Sequence, residues 1–253
     1  MPEKISDIDV LILCGGQGTR FREVREDIPK ALAPIKGIPF IDLLLDDLTT
    51  QGFSRIILAT GHRGDQVEKY LMQRTDAEYV FSNETKPLGT AGAIKYAENK
   101  FRSEHVLVLN GDSRIVFDFH SLFEFHKHKH ANMSILLSST TKGKDYGNVL
   151  LDRDNRITTF SEKPIDTTYA YVNAGIYVIN LSMLKYLQQE KQYSLEKDCL
   201  PYWIQQKKIF GMLTENQVCD IGTPERYNIF CKLSLFLILL TSKFYHVLSF
   251  CLI

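Results

Sequence analysis

The chain has 253 residues, 44% hydrophobic and 24% charged, a balance that supplies the core of one α/β domain and argues against disorder. Lysine plus arginine and aspartate plus glutamate stand at 30 each. The basic excess of a nucleic-acid binder is therefore missing, and any anionic ligand must be held by locally placed cations and backbone N–H groups.

The five cysteines, Cys14, Cys199, Cys219, Cys231 and Cys251, are scattered and form no CxxC pair. They suggest neither a disulfide framework nor a zinc site, and they fit a reducing compartment. The polar start of the chain, Met1 to Ile8, does not read as a signal peptide, and the expected location is cytoplasmic.

In chain order, Val10–Cys14, Arg55–Thr60, Glu78–Phe81 and His105–Leu109 are short runs rich in Val, Ile and Leu, which predict strands. Pro39–Gln51, Arg63–Gln73 and Thr90–Asn99 have helical spacing. Pro39 stands near the first turn, Gly52 is a stop signal, and Thr90 is expected as an N-cap. This alternation predicts a Rossmann-like α/β fold, a doubly wound, mainly parallel sheet. Further on, Asn148–Leu151, Arg156–Ser161 and Ile176–Ile179 read as strands, with a turn at Asp154-Asn155, and extend the sheet into a mixed one carrying a small substrate-binding annex. The expected organisation is one catalytic domain over residues 1–232 and an apolar tail over 233–253. The tail barely reaches the length of a membrane span and carries Lys243 and His246 near its middle, so membrane contact is not the expected reading. A packed terminal helix, a contact between copies in a homo-oligomer, or an atypical extension dispensable for catalysis fit it better.

The most informative segment is Cys14-Gly15-Gly16-Gln17-Gly18-Thr19-Arg20, which follows the first strand, with Lys30 after it in Ile-Pro-Lys-Ala. Glycines let backbone N–H groups approach an anion, Arg20 can fork onto a phosphate, and Lys30 supplies a point charge. The dinucleotide pattern GxGxxG fails, because Phe21 stands where the third glycine belongs, and no Gly-Lys-Ser/Thr completes a P-loop.

This loop, continued by DIPKALAPIKGIPF, resembles the signature of the sugar-phosphate nucleotidyltransferases, most closely the branch that guanylylates a heptose 1-phosphate. The likeness runs from about Val10 to Tyr227 over several separated motifs and does not cover the tail. It implies a nucleotide-diphospho-sugar transferase fold, Mg²⁺ as cofactor, and a nucleoside triphosphate (GTP) and a sugar 1-phosphate as partners. The product would be a nucleotide sugar for surface polysaccharide.

The loop Glu84-Thr-Lys-Pro-Leu-Gly89-Thr90-Ala-Gly92 resembles the family's base-gripping segment, with a helix N-terminus behind it that favours negative charge. Asp112 closes the fourth strand, where α/β sheets place their ligands, and Asp220 in Cys-Asp-Ile-Gly-Thr-Pro is the second carboxylate. The resemblance makes these two the metal ligands. It also assigns Tyr146, Gly147, Glu162, Lys163, Asn173 and Gly175 to the sugar phosphate, with Lys163 on the phosphate and Glu162 and Asn173 on hydroxyls. Arg20, Lys30, Asp112, Lys163 and Asp220 thus form the expected catalytic set.

Guanine presents two adjacent donors that a carboxylate at Glu84 can accept together, whereas uracil presents one donor between two acceptors. The sugar stays open between heptose and a hexose such as mannose, and a uridylyl transfer remains an alternative. A transferase for phosphocholine would want an aromatic cage, and the annex offers Glu162 and Asn173 instead. A non-catalytic nucleotide-sensing subunit fits poorly with both acids and both phosphate-site cations present. In Phe-His126-Lys-His128-Lys-His130 the intervening lysines predict a solvated face rather than a metal site.

Overall fold

A computed structural model describes residues 4–16, 28–139, 146–163 and 170–232. Gly18, Thr19, Arg20 and the tail 233–253 lie outside the described residues.

Nine strands form one mixed sheet: β1 (Asp9–Leu13), β2 (Arg55–Thr60), β3 (Glu78–Asn83), β4 (His105–Asn110), β5 (Met133–Ser138), β6 (Asn148–Leu151), β7 (Ile157–Ser161), β8 (Tyr171–Asn180) and β9 (Ile209–Thr214). The order is β7-β6-β8-β4-β1-β2-β3, with β5 and β9 branching from β8. β4, β1, β2 and β3 are parallel, whereas β8 runs antiparallel to β4, β5 and β6. The doubly wound mixed sheet expected from the sequence is the observed fold.

Period-two alternation sorts the strand residues between two cores. Val10, Ile12, Ile56, Leu58, Leu107 and Leu109 face one side, where α1 (Phe40–Thr50), α2 (Gly64–Leu71) and α4 (Phe119–His128) pack. Leu11, Ile57, Val106 and Val108 face the other, under α3 (Gly89–Tyr96) and α5 (Leu200–Gln206). α1 starts directly after Pro39 and ends at Gln51, with Gly52 at φ +96° supplying the left-handed stop that the sequence suggested.

Two expectations fail. Thr90 is not an N-cap: α3 begins at Gly89 behind Leu88 with no side-chain cap, and the Thr90 hydroxyl instead donates to Glu196 Oε2 at 2.8 Å. The face of α4 carrying the histidines is only partly solvated. His126 is 1% exposed, its Nδ1 lies 2.9 Å from Ser134 Oγ, and its ring meets that of His105 edge to face. Burial pushes the imidazole down to about 3, so it stays neutral in the core. Among the described residues no cluster of three or more His, Cys, Asp or Glu could by itself hold a metal, and no helix is long and apolar enough to cross a membrane.

Candidate active site

The carboxyl ends of the parallel strands bring four loops together. Cys14 N donates to Ala59 O at 2.8 Å, Gly111 N to Leu13 O at 3.0 Å, and Glu84 N to Thr60 O at 2.8 Å. The glycines here make room for neighbours. A β-carbon on Gly111 would stand 2.7 Å from Leu13 O and 2.8 Å from Cys14 Sγ. One on Gly15 would stand 2.9 Å from Glu84 Oε1. Cys14 is thereby wedged under the loop, and burial pushes its thiol up to about 12, which removes it as a nucleophile.

Glu84 rests between Gly15 and Gly61, with Oε2 accepting from Leu88 N at 3.3 Å. Burial raises its carboxyl above the ordinary value, and the Leu88 hydrogen bond only partly opposes this. It opens onto two adjoining recesses of about 230 and 320 Å³. The larger reaches past Gly16, Gly89 and Thr90 to Asn110 and Asp112.

Gly89 and Gly92 serve a purpose the sequence did not reveal. A β-carbon on Gly89 would lie 2.5 Å from Tyr193 O, and one on Gly92 would lie 2.8 Å from Lys191 O. Ala91 N and Gly92 N both donate to Tyr193 O, at 3.0 and 3.2 Å. The helix N-terminus expected to favour an anion therefore spends two of its free donors on the Lys191–Glu196 strap. Because Gly89 also sits at φ +71°, Gly89→Ala is expected to lose at least about 1–3 kcal/mol of stability, read by urea denaturation. An unchanged midpoint would contradict this account of the strap.

The two acids lie on adjacent backbone segments. Ser113–Arg114 pairs antiparallel with Cys219–Asp220, and Ile221 N donates to Asp112 O at 2.9 Å. Lys30, delivered by the 3₁₀ turn Lys30–Leu32, places Nζ 2.6 Å from Asp112 Oδ2. Asp220 is 7% exposed and accepts from Tyr146 OH at 2.6 Å and Gly222 N at 2.8 Å. Arg226 Nη1 forks onto both its oxygens at 3.2 and 3.3 Å and covers the Tyr146 ring at 4.5 Å. Burial, and then the Asp220 carboxylate, pushes the Tyr146 phenol well above its ordinary value, so it remains a protonated donor.

Lys30, Asp112, Asp220 and Tyr146 are thus brought together as a group, and Arg226 joins them without having been anticipated. Its place in the first turn of the helix over 224–232, six residues beyond Asp220, was the available signal. Asn173 donates to Tyr177 OH at 2.8 Å and accepts from Gly175 N at 3.0 Å, while Gly147 O accepts from Asn173 N at 2.9 Å. Glu162 and Lys163 stand apart on the surface, Glu162 lying 3.3 Å from Lys197 Nζ.

The donor set fits a divalent cation of the hard, oxygen-liking kind. Two carboxylates from adjacent backbone segments leave most of the coordination shell to substrate phosphates and water, as such ions prefer.

A model of the nucleotidyl transferase family matches residues 9–232. The D-glycero-α-D-manno-heptose 1-phosphate guanylyltransferase of Aneurinibacillus thermoaerophilus is 34% identical over 221 residues, covering 87% of this chain and 95% of that protein. A mannose-1-phosphate guanylyltransferase of Mycobacterium tuberculosis is 30% identical over 226 residues, and the match spans 87% of this chain but 62% of that longer protein. The crystal structure of HddC from Yersinia pseudotuberculosis superposes with a TM-score of 0.79 at 30% identity, covering 89% of this chain and 98% of that one. A second HddC structure, complexed with GMP-PN, gives 0.76. By sequence and by fold, the chain belongs to the nucleotidyl transferase family.

Proposed function

We propose that this chain transfers GMP from GTP to a sugar 1-phosphate, with D-glycero-α-D-manno-heptose 1-phosphate as the sugar, and releases pyrophosphate. The observation that carries the reading is the acid pair Asp112 and Asp220, set on adjoining backbone beside Lys30 at the end of the strand that abuts the glycine loop. The A. thermoaerophilus relative, matched over nearly its whole length, supports the heptose and the guanine. The M. tuberculosis relative and the HddC complex with GMP-PN support the guanine as well.

A phosphate monoester has its second pKa at about 6 and is largely dianionic at neutral pH. One of its oxygens attacks the α-phosphorus of GTP, a P–O bond forms to the sugar phosphate, and the bond to the bridging oxygen breaks in line, with pyrophosphate carrying away the electron pair. No general base is needed, and burial, which raises the Cys14 thiol, argues against a thiolate at that position. What the residues do is position and neutralise charge.

Asp112 and Asp220 would hold a divalent ion, read as Mg²⁺, which when bound would supply neutralisation of the phosphate charge. Lys30 and Arg20 take the triphosphate over the loop of Cys14, Gly15, Gly16, Gly18 and Thr19. Lys163 takes the sugar phosphate, while Tyr146, Gly147, Glu162, Asn173 and Gly175 form the sugar subsite. Tyr146 and Arg226 keep Asp220 in place. The activity belongs to the cytoplasm, where the nucleotide is supplied.

The test is pyrophosphate release with GTP and heptose 1-phosphate in the presence of Mg²⁺. Turnover that requires both substrates supports the proposal, and none with any sugar 1-phosphate would leave a nucleotide-binding subunit.

Glu84 bears on the base. Its half-buried carboxylate, placed against two glycines, suits the paired N1–H and N2–H₂ donors of guanine. Glu84→Gln turns one acceptor into a donor facing those donors. The expected loss in kcat/KM for GTP is about ten- to a hundredfold, the scale of a hydrogen bond to a charged group, with little change for UTP. Equal losses for GTP and UTP would place Glu84 outside base recognition.

A further inference from the structure

Asp112 leads into, and Asp220 belongs to, a ribbon that stands outside the nine-stranded sheet. Its arms, Ser113–Arg114 and Cys219–Asp220, are two residues each, and pairing that short does not hold its own place. The Asp220 carboxylate is fixed further by Tyr146 and Arg226. Asp112 is 39% exposed, and its side chain meets Lys30 Nζ at 2.6 Å and the Ser113 hydroxyl at 3.1 Å. Its position therefore depends on what anchors the ribbon, and the residue after Ser113 is Arg114.

Arg114 Nε and Nη2 donate to Asp47 Oδ2 and Oδ1 at 2.7 and 2.8 Å, a fork on a single carboxylate. Both side chains are partly buried. Asp47 stands in the last turn of α1, where the helix dipole disfavours an acid. An acid kept at that end calls for a cation, and Arg114 brings one from the ribbon. The helix is a firm base, because Leu44, Leu45 and Leu48 around Asp47 are buried in the core. Gln51, at the end of the same helix, holds the chain beyond Arg114, its Oε1 accepting from Phe119 N at 2.8 Å. In sequence, a cation two residues after Asp112 would pass for a phosphate ligand. The fork shows instead that its guanidinium is engaged by α1.

We infer that Arg114 is a positioning residue for the acid pair: its fork on Asp47 anchors the ribbon to α1 and so sets Asp112 against Asp220 at the spacing a divalent ion requires. The inference rests on the reading of the two acids as metal ligands. Mg²⁺ demands near-ideal octahedral geometry, so a small displacement of one carboxylate lowers affinity. Groups that hold a metal ligand from behind typically contribute about ten- to a hundredfold in affinity. Arg114 acts through the backbone of Ser113 and Asp112, and Asp47 acts through Arg114.

The test compares Arg114→Gln, Asp47→Asn and the double variant in the full chain, with Mn²⁺ alone as the probe. Bound Mn²⁺ is followed by electron paramagnetic resonance, and the thermal midpoint is measured for each protein. Either single substitution should weaken Mn²⁺ about tenfold, and the double variant should be no weaker than the singles. The midpoint should fall by at most about 4 °C, the shift expected of one partly exposed ion pair in a chain of this size. The sign at Arg114 is decisive, because deleting a nearby cation would tighten Mn²⁺ if charge alone were at work. Should Arg114→Gln not fold, Arg114→Lys keeps the charge, loses the fork and carries the same expectation in smaller measure. Tighter or unchanged Mn²⁺ binding in the Arg114 variants, or additive losses in the double variant, would overturn the positioning role and leave the pair a surface tie. A wild-type chain that binds Mn²⁺ no better than Asp112→Asn would defeat the reading of the acids themselves, and the inference with it. That result is distinct from a wild type that binds Mn²⁺ and variants that bind it equally well.

Discussion

Asp112→Asn is expected to lower kcat by at least about two orders of magnitude, the scale on which charge stabilisation acts in such sites, with little change in thermal midpoint. The side chain is 39% exposed and its recorded partners are the Lys30 ammonium and the Ser113 hydroxyl. Asparagine keeps the shape and one acceptor, while the site loses half of its carboxylate supply to the metal. Asp220→Asn should be as damaging to turnover but not as clean. Asp220 is buried and accepts from Arg226, Tyr146 and Gly222 N, and weakening that set of bonds to a charged group should cost about 1–3 kcal/mol. The pair of variants therefore separates chemistry from folding: both inactive, only one destabilised. Near-normal turnover by Asp112→Asn would remove it from the metal site.

The largest stability effect is expected at Asp9, at the opposite end of β1 from the glycine loop. It is 2% exposed, pairs with Arg55, and accepts from Arg102 N, Ser103 N at 2.9 Å and Ser103 Oγ at 3.2 Å. These contacts tie the start of β1 to the segment entering β4 and so set the register that brings Gly15 beside Asp112. Burial alone would raise the carboxyl. The backbone donors and Arg55 outweigh it and hold the group below the usual carboxylate range. Because the folded value is depressed, this contribution is fully present above the unfolded value of about 3.9. It is lost as pH falls through the lower folded value. Asp9→Asn leaves the buried Arg55 with only the more exposed Glu78, 3.3 Å from its Nε, and should cost about 3–5 kcal/mol by urea denaturation at neutral pH, with a flattened acid limb. A loss below about 1 kcal/mol, the scale of an exposed pair, would contradict it.

The parallel half of the fold was legible because each strand is a short apolar run whose alternate residues feed two cores, and because Gly52 ends α1 in the left-handed region. That Gly15, Gly16 and Asp112 line one recess was legible for a related reason: they follow parallel strands, whose carboxyl ends local pattern already identifies. What the sequence hid depends on distant pairing. β9 runs beside β5 across more than 70 residues, and Gly211 interrupts its apolar run because a β-carbon there would stand 2.4 Å from Leu137 Cδ1. Gly89 and Gly92 belong to a segment that resembles a base-gripping loop, and their missing β-carbons accommodate the backbone of residues 191–193, which no local pattern could indicate. Thr90 looked like a cap because a threonine at a helix start usually is one, but Glu196, 106 residues away, claims its hydroxyl. The bond from Tyr146 to Asp220 spans 74 residues and ties a residue expected at the sugar to one of the two acids.

The most direct test of the proposed activity is a grid of kcat/KM values. GTP, UTP, CTP, ATP and dTTP are each paired with heptose, mannose and glucose 1-phosphates at fixed Mg²⁺, and pyrophosphate release is followed. The half-buried Glu84 carboxylate, facing a recess beside Gly15, leads us to expect GTP to exceed the pyrimidine triphosphates by at least about tenfold, the scale of one charged hydrogen bond. Heptose 1-phosphate should be the preferred acceptor. A preference for UTP or dTTP, or the absence of transfer to every sugar 1-phosphate in the grid, would contradict the account.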